Sequence, residues 1–275
     1  MMNSYGFRKF KNRLFFAICA ICVVIAVVPL ASIIFEVAKR GVPQLSWTFI
    51  TATNGNSGIG PAIQGTLILI GLTSIIGIPI GVLSGIYLSE FGNNKYAQNL
   101  RTINNIIAQF PSIIVGITIY GLIVLTMGSF SAIAGSIALA FILIPIVTRT
   151  TEESLKLVPN NIREASLALG AHNWRTTLSV VLPAAKNGLL TGVLLAVARI
   201  TGETAPLIIT ILGNRYFFQG LDKPLAALPL EIWKDALQPY AETQAQGWGA
   251  ALILILMVLI INITVRLASR SRMKA

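Results

Sequence analysis

The sequence predicts an all-α polytopic membrane protein with six transmembrane helices. Three observations carry this. Hydrophobic residues make up 55% of the 275-residue chain and charged residues only 11%, with a mean hydropathy of +0.76. A soluble domain carries about 25% charged residues. Six apolar stretches, 14–35, 62–89, 103–127, 130–148, 186–211 and 248–268, reach the roughly 20 residues that cross a hydrocarbon core of about 30 Å. The runs are continuous rather than alternating, which selects helices over a β-barrel.

The first stretch follows a tail bearing Arg8, Lys9, Lys11 and Arg13. It is longer than a signal-peptide core and lacks a small-x-small cleavage site, so it is expected to be an uncleaved span. Cys19 and Cys22 lie inside it with no second Cys pair or His cluster, so they are expected to pack rather than bind metal or cycle redox. The third and fourth stretches are separated only by Met127-Gly128-Ser129. Two outer segments, 36–61 and 212–247, are too long for tight turns. Trp47, Trp233 and Trp248 sit near membrane boundaries, where amphipathic rings are favoured.

Basic residues orient the chain. With the N-terminus inside, fifteen Lys and Arg are cytoplasmic and five are outside, and Arg199 is left in the membrane. Acidic residues divide almost evenly, so the whole formal charge of +11 is cytoplasmic. Topology accounts for it without nucleic acid.

Residues 164 to 183 read EASLALGAHNWRTTLSVVLP. They are too polar to cross a bilayer, yet they are patterned. Ile162, Ala165, Ser166 and Leu169 fall at helical spacing. Gly170 sits where a helix would end in a left-handed cap. Asn173 is placed to cap a second short helix, and Pro183 suits the first turn of the next span. His172, the only histidine, is expected on solvated surface. A compact helix–turn–helix on the soluble side of a membrane protein is a docking element.

Glu164, Ala165, Gly170, Val180, Leu182 and Pro183 at these intervals resemble the cytoplasmic EAA loop of ATP-binding-cassette (ABC) importer permeases. Ser166 replaces the second Ala of that pattern and Val180 replaces Ile, both conservative in size. The resemblance implies the type I (MetI-like) importer-permease architecture. Glu164, Ala165, Ser166, Gly170, Leu182 and Pro183 would couple the chain to an ATPase.

The fifth stretch contains charge. Arg199 and Glu203 are four apart and share a helical face. An unpaired charge at the bilayer centre costs roughly 2.5–3.5 kcal/mol on insertion scales. The pair can neutralise itself, but two apolar residues of similar volume often do as well. Pro206 cannot donate to the Gly202 carbonyl, so a kink is expected beside Glu203. A polar pathway lined by Arg199, Gly202, Glu203, Thr204 and Pro206 is one reading, with the guanidinium meeting a tetrahedral oxyanion. A salt bridge that fixes helix packing is the other.

Arg199-x-x-Gly202-Glu203-Thr204-Ala205-Pro206 is similar to the phosphate-specific permeases of the PstA type. So are Gly58-Ile59-Gly60-Pro61-Ala62-Ile63, Gln109-Phe110-Pro111-Ser112 and Ile114-Val115-Gly116. The similarity implies an inorganic-phosphate importer in the cytoplasmic (inner) membrane of a bacterium or archaeon, with both termini cytoplasmic. It implies a second homologous permease (PstC-type), two ATP-binding subunits (PstB-type) and an extracytoplasmic phosphate-binding protein (PstS-type), all acting in or at the lipid bilayer. It divides the chain into an N-terminal tail, first helix and outer segment (1–61), a permease core (62–269) with its coupling loop at 151–185, and a basic tail (270–275).

There is no GxxxxGK[ST] phosphate loop and not even a Gly-Lys dipeptide. No cofactor is expected in this chain, and ATP is expected on a partner subunit. With no Gly-x-Ser-x-Gly and no Cys/His cluster, the chain is not expected to be an enzyme. The same machine for molybdate or sulfate, a passive channel or secondary carrier, and a membrane scaffold remain as competing functions.

Overall fold

The computed structural model describes residues 3–53, 58–92 and 94–271. The basic tail predicted at 270–275 lies, from residue 272 on, outside the described residues. The chain opens with α1 (Asn3–Gly41), a short 3-10 turn and α2 (Trp47–Thr51). Ser46 caps α2 by accepting from the Phe49 N–H at 3.1 Å. The second span is α3 (Gly60–Glu90).

The third stretch departs from expectation. It is not one helix but α4 (Lys95–Gln109) and α5 (Ser112–Ile119), the latter continued by a π-helical segment (Tyr120–Val124) and α6 (Leu125–Met127). The two halves are bent by 100°. The cause is local: Pro111 drives the residue before it out of the helical region, and Phe110 is extended with ψ 132°. Asn94 starts α4 by accepting from the Ala97 N–H at 2.9 Å.

The fourth span, α7 (Ala132–Lys156), runs two turns past its apolar stretch and carries Arg149, Glu152, Glu153 and Lys156 beyond it. The docking region contains α8 (Asn160–Ala168) and α9 (Asn173–Thr176), followed by a π-helical segment (Thr177–Val181). The fifth span, α10 (Leu182–Thr201), ends before Gly202, and helix resumes as α11 (Ala205–Thr210) with Pro206 at its second residue. The expected kink is therefore a full break at Gly202–Thr204. A connecting segment with α12 (Leu228–Ala236) leads to the last span, α13 (Ala241–Ser271).

α7 is the centre of the packing. On one side, Gly77, Gly81 and Gly85 of α3 face it at four-residue spacing, which is one helical face. A Cβ on each would sit 2.7 Å from Leu143 Cδ2, 2.7 Å from Val147 Cβ and 2.5 Å from Thr151 Cβ. On the other side, Gly188 and Gly192 of α10 meet Ser154 and Thr150. Small residues let backbones approach closely where lipid offers no hydrophobic drive between helices. Leu69, Leu139, Leu143, Val147, Val197, Ile200, Leu207 and Ile211 fill the core around these contacts.

By contrast, α1 stands apart, and residues 6–35 are exposed along their whole length. It joins the bundle at its C-terminal end, where Gly41 packs on Leu252 and the Trp248 carbonyl. Arg40 also lies over the Trp248 ring at 5.1 Å, a cation–π contact.

Candidate functional site

The docking region is a closed helical hairpin. Gly170 adopts φ +81°, as a left-handed cap requires. The Ala171 N–H donates to the Ser166 carbonyl at 3.3 Å and the Gly170 N–H to the Leu167 carbonyl at 2.9 Å. Those are the paired bonds of a Schellman motif, which satisfy the carbonyls that the end of α8 leaves free. The Ser166 and Thr176 hydroxyls then join α8 to α9 at 2.9 Å. Asn173 does not cap the second helix. His172 holds the cap position without a side-chain bond, and Asn173 is the first helical residue, its carbonyl accepting from Thr177 Oγ1 at 3.0 Å. Two residues after the Gly170 reversal, the chain is already extended at His172 (ψ 152°), so the helix starts one residue earlier in register than a side-chain cap at Asn173 would need.

The hairpin turns its apolar side chains outward. Leu169 is 89% exposed and Trp174 60%, and Ile162 and Ala165 are exposed beside Glu164. Glu164 has no ion-pair partner among the described residues. Leu182 packs with Leu155, Val158, Val181 and Ala185, and Pro183 sits in the first turn of α10. The six predicted coupling residues thus lie in the hairpin and the first turn of α10 that follows it. Ser166 and Leu182 hold it closed and seated, and Glu164 and Ala165 face out.

Two arginines anchor this end of the bundle, and in the sequence alone both are legible only as topology charges. Arg163 Nη2 donates to Glu90 Oε1 at 2.8 Å and Nε to Glu90 Oε2 at 3.1 Å. It also donates to the Leu155 carbonyl at 2.8 Å and to the Val158 carbonyl. The side chains are 18% and 9% exposed, and the Glu90 carboxylate raises the guanidinium above the usual arginine range. Arg101 Nε meets Glu152 Oε1 at 2.8 Å and its other nitrogens donate to the Leu88 and Gly92 carbonyls. Lys156 Nζ reaches the same Glu152 oxygen at 2.6 Å. Each arginine therefore pairs with a carboxylate and caps the carbonyl end of a span, where the helix dipole favours a cation.

The predicted pathway residues gather at the α10–α11 break, with one exception. Arg199 is in the last turn of α10, with its side chain 61% exposed. Glu203 lies at 4.0 Å from Arg199 Nε, beyond hydrogen-bond reach. Gly202 is exposed, and Thr204 is half-buried. Pro206 instead faces inward, where a Cβ on Gly116 of α5 would lie 2.7 Å from Pro206 Cα. Asn187, Thr191, Leu195 and Arg199 form one exposed stripe along α10. The α7–α10 contacts pair Gly188 with Ser154 and Gly192 with Thr150, and extending that register puts Arg199 near the middle of α7. A second polar surface was not foreseen. Arg149 and Glu153 pair at 2.9 Å at the rim of a cavity of about 440 Å³ also lined by Asn104, Asn105, Gln109 and Thr150. The four-residue spacing of Arg149 and Glu153 was the available clue.

Three comparisons bear on this arrangement. Residues 77–273 match the family described as "Binding-protein-dependent transport system inner membrane component". The "Phosphate transport system permease protein PstA" of Haemophilus influenzae is 44% identical over 255 residues, covering 90% of each chain. Its namesake in Yersinia pestis is 40% identical over 257 residues, covering 91% of this chain and 87% of that one. Among solved structures, a chain of a bacterial alginate ABC transporter, solved in complex with an alginate pentasaccharide-bound periplasmic protein, superposes with a TM-score of 0.71. It is 15% identical and covers 96% of each chain.

Proposed function

The chain belongs to the inner-membrane components of binding-protein-dependent transport systems, and from that premise we propose that it is the phosphate-translocating permease subunit of an ABC importer. The observation that carries the proposal is the closed hairpin at Gly170. It is closed by its own hydrogen bonds, anchored to two spans, and yet leaves Leu169, Trp174 and Glu164 exposed among the described residues. Such a surface is made to be gripped by another protein. Relatives named for phosphate transport at 44% and 40% identity supply the substrate.

In this reading two ATP-binding subunits (PstB-type) sit on the cytoplasmic face, one of them gripping α8, and they hold the ATP. The chain itself performs no chemistry. An extracytoplasmic binding protein (PstS-type) delivers phosphate to the outer segments. A second permease (PstC-type) covers the exposed stripe of α10. A guanidinium facing lipid near mid-membrane is costly, so the Arg199 face belongs to a polar path between two permeases. Arg199 offers phosphate a charged fork, and Glu203, held loosely at 4.0 Å, competes for it so that the anion can leave. The chain lies in the cytoplasmic membrane with both termini inside, in line with the fifteen cytoplasmic basic residues.

The test is labelled-phosphate uptake at low concentration in cells lacking the chain and in cells with it restored. Excess sulfate and molybdate serve as competitors. Restored uptake that resists both supports the proposal. No uptake with the complex assembled would remove phosphate as the substrate.

A further inference from the structure

We propose that Arg163 is a positioning residue that transmits motion of the docking hairpin to α3, through a clamp on Glu90. The inference rests on the permease reading above and names the joint on which it depends. Glu90 is the last residue of α3 and is 73 positions from Arg163 in sequence. The fork closes on both carboxylate oxygens, and Ser89 Oγ fixes one of them at 3.0 Å. Arg163 Nη1 reaches the Val158 carbonyl just past the end of α7, and Nη2 also donates to the Leu155 carbonyl in its last turn. One side chain of α8 therefore grips the ends of two spans at once.

Those two spans form a single stiff body. Gly77, Gly81 and Gly85 bring α3 into backbone-close contact with α7, and a close-packed contact transmits displacement rather than absorbing it. The hairpin's other seat is the π-helical segment and the start of α10, reached through the Ser166–Thr176 bond. A push on α8 thus has two outlets. One runs along the chain into α10, which carries Arg199. The other crosses space through Arg163 into the α3–α7 body. Moving those two bodies relative to one another is what a change of access at the α10 face needs. A lysine in place of Arg163 keeps the charge but cannot fork onto a carboxylate.

The experiment uses the full complex, with both permeases, the ATPase and the binding protein, in proteoliposomes. Phosphate uptake, ATP hydrolysis and recovery of the assembled complex are measured together. Arg163→Ala and the isosteric Glu90→Gln are expected to lower phosphate moved per ATP hydrolysed about tenfold, within the usual range of coupling between sites. The complex is still recovered. Arg163→Lys falls between. Glu90→Cys with Arg163→Cys, in a chain whose Cys19 and Cys22 are replaced by serine, regains coupling when joined by a short bis-maleimide. Unchanged phosphate per ATP in both single variants overturns the proposal. So does a loss that tracks lost complex, because the residue is then only part of the fold. If the wild-type complex hydrolyses ATP but moves no phosphate, the substrate assignment fails instead. The clamp is then judged by how far each variant blunts stimulation of ATP hydrolysis by the binding protein.

Discussion

Replacing Gly170 by valine isolates the hairpin from everything else in the chain. At φ +81° nothing lies within 4 Å of the place a Cβ would occupy, so the penalty is conformational rather than steric crowding by neighbours. A Cβ in the left-handed region costs about 1–2 kcal/mol, and a β-branched residue is a rarer occupant still. At about 1.4 kcal/mol per factor of ten, the ratio of closed to opened hairpin shifts about tenfold toward open. Opening breaks the two Schellman bonds and separates Ser166 from Thr176. The spans are untouched, so the protein still inserts. Copurification of the ATPase and labelled-phosphate uptake are the assays. The first should weaken and the second should fall, by at most about tenfold, following the loss of docking-competent molecules. Gly170→Asn is the control, because asparagine visits the left-handed region readily, and it should stay near wild type. Normal uptake in Gly170→Val, or equal loss in Gly170→Asn, would refute the reasoning.

Other perturbations probe other parts. Gly85→Val forces a Cβ to 2.5 Å from Thr151 Cβ and 2.6 Å from the Thr148 carbonyl oxygen. Overpacking of this kind costs about 1–3 kcal/mol or more, so the detergent-purified complex should melt lower and be recovered in smaller amounts. Arg199→Ala should cut uptake by at least about tenfold while assembly, read by copurification, is preserved. Proportional loss of both would return the residue to a packing role. Asp235 of α12 has its carboxyl pushed up to about 6 by burial and then by Glu231, against the opposing pull of Lys234. The raised value means that the folded chain binds the proton more tightly than the unfolded chain. Stability is therefore lost as pH rises from about 4 through about 6. Asp235→Asn should raise the apparent melting temperature above pH 6 and flatten its dependence on pH in that window.

Features encoded by neighbouring residues were legible. The hairpin was readable because Gly170 follows a short helical pattern and Pro183 opens the next. The long spans were readable because each apolar run exceeds the bilayer. The third stretch misled because its hydropathy averages over Phe110-Pro111, although the proline itself marks the bend. The α10–α11 break was foreseen in place but not in degree. A proline at the second residue of a new helix costs nothing there, so the chain stops and restarts rather than bending. The Arg163–Glu90 clamp and the Arg101–Glu152 pair join residues 73 and 51 positions apart. Only the stacking of α3 against α7 brings them together, and no local pattern encodes that.

The detachment of α1 has a consequence during synthesis. Its foothold in its own chain is around Trp248 and Leu252 on α13, the last helix to be made. At about 5–20 residues per second, the roughly 200 residues between them take on the order of 10–40 s to emerge. For that interval α1 is already in the bilayer, apolar on every side and claimed by nothing in its own subunit. Whichever neighbour the nascent chain meets first, its own final helix or a strange one, competes for the same empty flank.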